Sequence, residues 1–304
     1  MKNIFFTLTY QCNAFCEKCM TRKHVYNNYE ISEEIINRFV LALSQNDYRG
    51  LISMGSGESL LSPYLVPFVQ KLFRVNDDIK LRVLTNGVLL DCDQMDDILQ
   101  GNRITWGITL DGFSQEELLK LQYGVDVELV KRNVEKWCNK KGPENLYLNY
   151  TLNAQNLDGV LPFVEWASEL GIKDIYITEL KIYKPYYSKL AWAALDYQDE
   201  HTLRVVEKLL ADKRVVCSLK TNAKIRSNCW CIDRIMPIID IDGSFSFCSG
   251  REDFVVGNIL DDDAAQKWLA FSSEVKQRTG WCKECHDRMD ENGLYSFPKN
   301  KYKY

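Results

Sequence analysis

Across residues 4–180 the chain alternates six times between short runs rich in β-branched and aromatic residues and stretches with apolar side chains at helical spacing. The strand-like runs are 4–10 (IFFTLTY), 51–54, 80–84, 103–110, 146–152 and 174–180. Between them, residues 32–44, 63–75, 93–100, 114–138 and 157–170 read as helices. Ser32 is placed to cap the first, the fourth is broken near Gly124, and Gly171 closes the fifth. Strict alternation of this kind calls for parallel strands with helices packed outside them. Six units make a partial (β/α)6 TIM-like barrel or an open sheet, whereas a closed eight-unit barrel needs more chain. Ligands of such sheets lie at the carboxyl ends of the strands. Residues 12–19, 55–58, 85–87, Asp111 and Asn153 all follow strands and should therefore face one cavity.

After residue 180 the pattern changes. Residues 183–200 are aromatic and irregular, 202–211 are helical, and the chain from Cys217 onward is cysteine-rich with short strands near 238–241 and 245–247. The expected division is a barrel over 1–182 and a small cysteine-rich domain over 183–304. With 38 Lys and Arg against 42 Asp and Glu, the net charge of −4 argues against a broad nucleic-acid-binding face. The first residues lack the apolar core and cleavage site of a signal peptide, and no stretch approaches the roughly 20 apolar residues of a membrane span. A cytoplasmic protein is expected, with neither nucleic acid nor membrane as a partner.

Cytosolic cysteines stay reduced, so clustered ones point to metal or redox chemistry. Of the 11 cysteines, three lie in Cys12-Asn-Ala-Phe-Cys16-Glu-Lys-Cys19 and six lie between positions 217 and 285. Three thiolates on one loop can ligate three irons of a cubane cluster, and no fourth cysteine is near in sequence. One iron is then left open for a small chelating ligand. Zinc is the competing reading, with His24 as the nearby fourth ligand.

Cys12-x-x-x-Cys16-x-x-Cys19 after a first strand resembles the signature of the radical S-adenosylmethionine (SAM) superfamily. Residues 52–61 (ISMGSGESLL) resemble that family's Gly-Gly-Glu-Pro strand end, with Ser56, Gly57, Glu58 and Ser59 in register. The resemblance implies a SAM-binding 4Fe–4S cluster held by Cys12, Cys16 and Cys19. It also implies SAM contacts at Phe15 and Lys18 in the loop, at Ser56, Gly57 and Glu58, at Thr109 and Asp111 after the fourth strand, and at Asn153 and Glu179. Two segments depart from the family pattern. Lys18 stands where an aromatic residue is usual, and Ser56 and Ser59 replace the first Gly and the Pro.

In the C-terminal part, Cys231, Gly243, Cys248 and the pair Cys282-Lys-Glu-Cys285 resemble the start of a SPASM-type motif in its shorter twitch form. This implies a second, auxiliary 4Fe–4S cluster on Cys231, Cys248, Cys282 and Cys285. Cys229 is an alternative to Cys231, and structural zinc an alternative to the cluster. Asp242-Gly243 is a hairpin turn signal that would carry Cys248 back toward Cys231. Cys217 and Cys229 are spare thiols, either passive or able to give a hydrogen atom to a substrate radical. The family chemistry would be reductive cleavage of SAM and hydrogen abstraction from an unactivated C–H bond. The favoured outcome is oxidation or epimerisation of a small polar molecule such as a sugar or aminocyclitol. Maturation of a ribosomally made peptide is the alternative, and a non-catalytic metal-stabilised module a third. An electron donor such as flavodoxin or ferredoxin would be required.

Overall fold

The computed structural model describes residues 3–19, 30–119, 122–180, 190–219, 237–246, 255–264 and 266–267. The expectations for His24, Cys229, Cys231, Cys248, Cys282 and Cys285 fall outside these residues. The six anticipated strands are present as β1 (Asn3–Phe6), β3 (Leu51–Met54), β4 (Lys80–Thr85), β5 (Ile104–Thr109), β7 (Leu146–Leu152) and β8 (Asp174–Glu179). They pair in that order, all parallel. The fold is therefore mixed α/β with a largely parallel, partial-barrel sheet.

The sheet is larger than the sequence suggested. Among the described residues it has ten strands, because β9 (Val215–Ser218) adds parallel to β8, and β10 (Ile238–Ile239) adds parallel to β1. A hairpin through Asp242-Gly243 then brings β11 (Ser244–Ser246) back antiparallel, followed by β12 (Val255–Asn258). Strands from both sides of residue 183 thus share one sheet.

The helices are α1 (Glu33–Gln45), α2 (Leu65–Val75), α3 (Gln115–Leu119), α4 (Val127–Lys141), α5 (Val160–Glu169) and α6 (Glu200–Ala211). Ser32 caps α1 by accepting from the Ile35 amide. The expected helix over 93–100 is reduced to a short 3₁₀ turn at Asp97–Gln100. The helical stretch expected over 114–138 is broken near Gly124, as anticipated, into α3 and α4, and the break holds a two-residue strand, β6 (Gln122–Tyr123). It pairs antiparallel with β2 (Phe15–Cys16), inside the cysteine loop.

Alternation along the strands gives the sheet two unlike faces. One presents Ile4, Phe6, Ile52, Leu81, Val83, Trp106, Ile108, Leu148 and Tyr150, all buried. There Phe6 stacks on Phe39 of α1 and Phe68 of α2, with centroids 4.4 and 4.8 Å away, and Trp106 meets Trp137 of α4 edge-on. Each such side chain contributes about 1.5–3 kcal/mol of burial. This packing fixes the strand ends, and hence the loops that follow them.

Candidate functional site

The cysteine loop leaves the β1 segment and is held from three sides. First, the Glu58 amide donates to Gln11 O (2.7 Å). Here the two backbones meet so closely that a Cβ on Gly57 would stand 2.5 Å from Gln11 O and 2.7 Å from Thr9 O. Only glycine fits that crossing without moving the cysteine loop. Second, β6 pairs with the loop, setting Phe15 opposite Tyr123 and Cys16 opposite Gln122. Third, Lys18 forms an ion pair with the buried Asp111 after β5 and donates to Thr151 Oγ1 of β7 (2.5 Å). The Thr151 amide donates to the other Asp111 oxygen (3.0 Å). Lys18, a departure from the family pattern in sequence, thus anchors the loop to two strand ends.

Glu58 is only 1% exposed. Its carboxylate accepts from Thr85 Oγ1 (2.9 Å), the Asn86 amide (2.9 Å) and the Leu60 amide (3.3 Å), and no cation is among these donors. Burial raises its pKa to about 7 despite the three hydrogen bonds. Asn86 also reaches the cysteine loop, donating to Asn13 Oδ1 (2.7 Å), with its amide nitrogen 4.0 Å from Cys12 Sγ. The Ala14 amide lies 3.4 Å from the same sulfur. Burial pushes the Cys16 thiol up to about 12, opposed by Lys18, and raises Cys12 as well. Both thiols are raised further by Cys19. Loading iron here must displace protons.

The donor set fits a cluster better than a single ion. Among the described residues the one set of ligand side chains gathered within 4.8 Å of one another is Asp91, Cys92 and Asp93. Its two carboxylates are already paired with Lys136 and Lys140. The Cys12, Cys16 and Cys19 sulfurs are spread more widely than that. N–H groups directed at a ligating sulfur, as from Ala14 and Asn86 toward Cys12, are among the contacts that tune a 4Fe–4S cluster. Gln122, buried opposite Cys16, has an amide oxygen without a hydrogen-bond partner among the described residues.

The remaining expected residues are placed as follows. Ser56 Oγ lies 2.9 Å from Thr7 Oγ1, behind the loop. Thr109 ends β5 on the sheet face away from the helices, in register with Asn149. The Asn153 side chain is used in its own turn, accepting from the Gln155 amide and donating to Thr151 O. Glu179 is buried at the end of β8 and accepts from Tyr197 OH (2.7 Å). Cys217 is not brought to the site. Its register with Ile177 puts it on the helix side of β9, with its sulfur 3.5 Å from Leu209 O of α6. The support given by β6, Asn86 and Thr151 was missed in sequence. Only the Thr85-Asn86-Gly87 turn carried a signal, as one of the loops expected to face the cavity.

A partial parallel barrel with a three-cysteine loop at its strand ends defines a class of cluster-bearing α/β proteins. The chain belongs to the radical SAM superfamily, whose family model matches residues 6–178. Membership implies a 4Fe–4S cluster and SAM, and the loop fits both. Among curated proteins, the chain is 26% identical over 285 residues to a probable GTP 3',8-cyclase of Saccharolobus islandicus (strain Y.N.15.51 / Yellowstone #2), covering 86% of each. It is also 26% identical over 176 residues to the GTP 3',8-cyclase of Helicobacter pylori (strain ATCC 700392 / 26695), covering 56% of this chain and 53% of that one. Among solved structures, Streptococcus suis SuiB bound to S-adenosylmethionine superposes with a TM-score of 0.66 at 13% identity, over 88% of this chain and 65% of SuiB. The anSMEcpe structure with AdoMet and the Kp18Cys peptide gives 0.63 at 18% identity, over 90% of this chain and 82% of that one. Among the described residues no helix is long and apolar enough to cross a membrane.

Proposed function

We propose that this chain cleaves SAM reductively and takes a hydrogen atom from an unactivated C–H bond of a small polar molecule, with oxidation or epimerisation as the net result. The observation that carries this reading is the loop of Cys12, Cys16 and Cys19, three thiols on a segment paired with β6, beside a sheet face whose residues on β4, β7 and β8 are only partly buried. A 4Fe–4S cluster with one open iron would bind SAM and supply the electron that splits it, releasing the 5′-deoxyadenosyl radical. Within this reading Glu58, a buried carboxylate without a cation, offers its charge to the ammonium of SAM. Phe15, Lys18, Ser56, Gly57, Thr109, Asp111, Asn153 and Glu179 shape the rest of the SAM site. Lys18 does so by holding the loop, since its ammonium is engaged by Asp111 and Thr151.

The curated relatives named GTP 3',8-cyclase support a small polar substrate and put a nucleotide first among compounds to try. A peptide substrate is the second reading, because SuiB bound to its precursor peptide SuiA and anSMEcpe with a peptide share this fold. For residues 183–304 we propose a twitch-type auxiliary 4Fe–4S cluster on Cys231, Cys248, Cys282 and Cys285, with Cys229 as the alternative to Cys231. In its support, Tyr10 OH bonds Asp240 (2.6 Å), which ties the hairpin strand β10 to the segment that enters the first cluster loop. The electron donor would be a cytoplasmic flavodoxin or ferredoxin.

The test is anaerobic reconstitution followed by SAM and dithionite. 5′-Deoxyadenosine should form, and its yield should rise when the true substrate is added. An intact cluster that yields none would remove the radical reading. Iron content separates the cluster counts, at roughly eight irons per chain for two clusters and roughly four for one.

A further inference from the structure

The sheet face away from the helices carries polar side chains around Leu84 of β4, which stands in register with Gly107 of β5. Register places Arg82 of β4 beside Thr105 of β5, and places Asn149 of β7 beside Tyr176 of β8. Between these rows, Gly107 of β5 stands in register with Tyr147 of β7. A Cβ on Gly107 would lie 2.2 Å from Tyr147 Cζ and 2.3 Å from its hydroxyl oxygen. The glycine lets the phenol lie across β5 toward β4. There the Arg82 guanidinium sits 5.2 Å from the centre of the Tyr147 ring, and Tyr176 packs edge-on at 5.7 Å.

Arg82 differs from the other cations of the interior. Lys18 has Asp111, and Arg103 donates to Ile79 O, Asn76 O and Phe73 O. Among the described residues the Arg82 guanidinium makes no hydrogen bond and no ion pair, and its Nε is fully buried without a partner. The Tyr147 hydroxyl likewise has no partner there, and the titratable groups that act on it are Arg82 and Tyr176, with no carboxylate among them. A buried guanidinium N–H left unpaired is costly, and the planar N–H fork of arginine matches the oxygens of a phosphate or carboxylate.

We propose that Arg82 and the Tyr147 hydroxyl bind an anionic oxygen group of the substrate, a phosphate or a carboxylate, on the inner face of the sheet. Arg82 lies three residues before Thr85, the residue that holds Glu58 at the strand end, a run of roughly 10 Å along β4. A small substrate anchored there extends its reacting carbon toward the cysteine loop. This inference rests on the reading that the open face holds the substrate, and it adds the charge that the substrate must carry. An open hollow on the outer face of α1, lined by Glu33, Glu34, Asn37, Arg38 and Leu41, shares none of these residues.

Calorimetry on the reconstituted full chain with sodium pyrophosphate and with succinate tests it. Saturable binding of at least one anion is expected, with pyrophosphate preferred if the group is a phosphate and succinate if it is a carboxylate. Arg82→Gln should weaken the preferred anion at least tenfold, Arg82→Lys less, and Tyr147→Phe about threefold. No saturable binding of either anion overturns the proposal, as does wild-type affinity in Arg82→Gln. If that variant does not fold, wild-type affinity in Tyr147→Phe overturns it instead. Anion binding through Arg82 in a chain that forms no 5′-deoxyadenosine would sink the proposed function and keep this site. SAM cleavage without anion binding would do the reverse.

Discussion

Two buried carboxylates stand beside the cysteine loop, and they are stabilised in opposite ways. Asp111, after β5, has its charge matched by Lys18 and its second oxygen bonded to the Thr151 amide. Glu58, after β3, is equally buried but meets only neutral donors, from Thr85, Asn86 and Leu60. The ion pair makes Asp111 part of the frame that positions the loop. Glu58, once ionised, carries an uncompensated charge, and its proton is correspondingly hard to remove. Of the two, Glu58 is the one with charge left to offer an incoming cation.

The largest effect should come from breaking the matched pair. Lys18→Met leaves Asp111 buried and uncompensated, which costs about 3–5 kcal/mol. Urea unfolding of the iron-free chain would show this, and adding Asp111→Asn to Lys18→Met should restore most of the loss. If Lys18→Met costs no more than an exposed substitution, the pair is not part of the frame.

The unmatched carboxylate should appear as pH dependence. Its folded pKa of about 7 lies above the ordinary 4.5, so the folded state binds the proton more tightly than the unfolded state. The stability this contributes is complete below pH 4.5 and is lost as the pH rises to 7. At about 1.4 kcal/mol per unit, the decline is roughly 3 kcal/mol. Glu58→Gln should flatten the decline, measured on the iron-free chain.

A smaller effect is expected where the Glu58 segment crosses the cysteine loop. Gly57→Ala must push apart the backbones of residues 9–11 and 57, at about 1–3 kcal/mol, and should lower the iron content on reconstitution. Gln122→Met, an isosteric change that removes the unpaired amide opposite Cys16, should cost less than about 1 kcal/mol in the iron-free chain. A large loss there would show that the amide has a structural partner.

The contrast between the two carboxylates also marks how far the sequence could be read. The six parallel strands were legible because each run is long enough to show its pattern and ends at a turn residue. The cysteine loop was legible because its spacing is local. β6 was not, since two residues between helical stretches carry no periodicity and their pairing with β2 spans more than a hundred residues. β9 was hidden for a related reason: four residues containing a cysteine read as the start of the cysteine-rich segment. Asp111 and Glu58 were both found as strand-end acids, but which of them is neutralised depends on Lys18, and that pairing exists only once the loop is folded onto β5 and β7. The same holds for Arg82 and Tyr147, whose meeting depends on the gap left by Gly107.

The most direct test of the central claim is the amount of 5′-deoxyadenosine formed from SAM and dithionite by the reconstituted chain, compared with Cys12→Ala, Cys16→Ala and Cys19→Ala. Formation by the wild type and loss of product in each variant is the expected result. A wild type that holds its iron yet forms no 5′-deoxyadenosine, or a variant of this loop that still forms it, would contradict the claim.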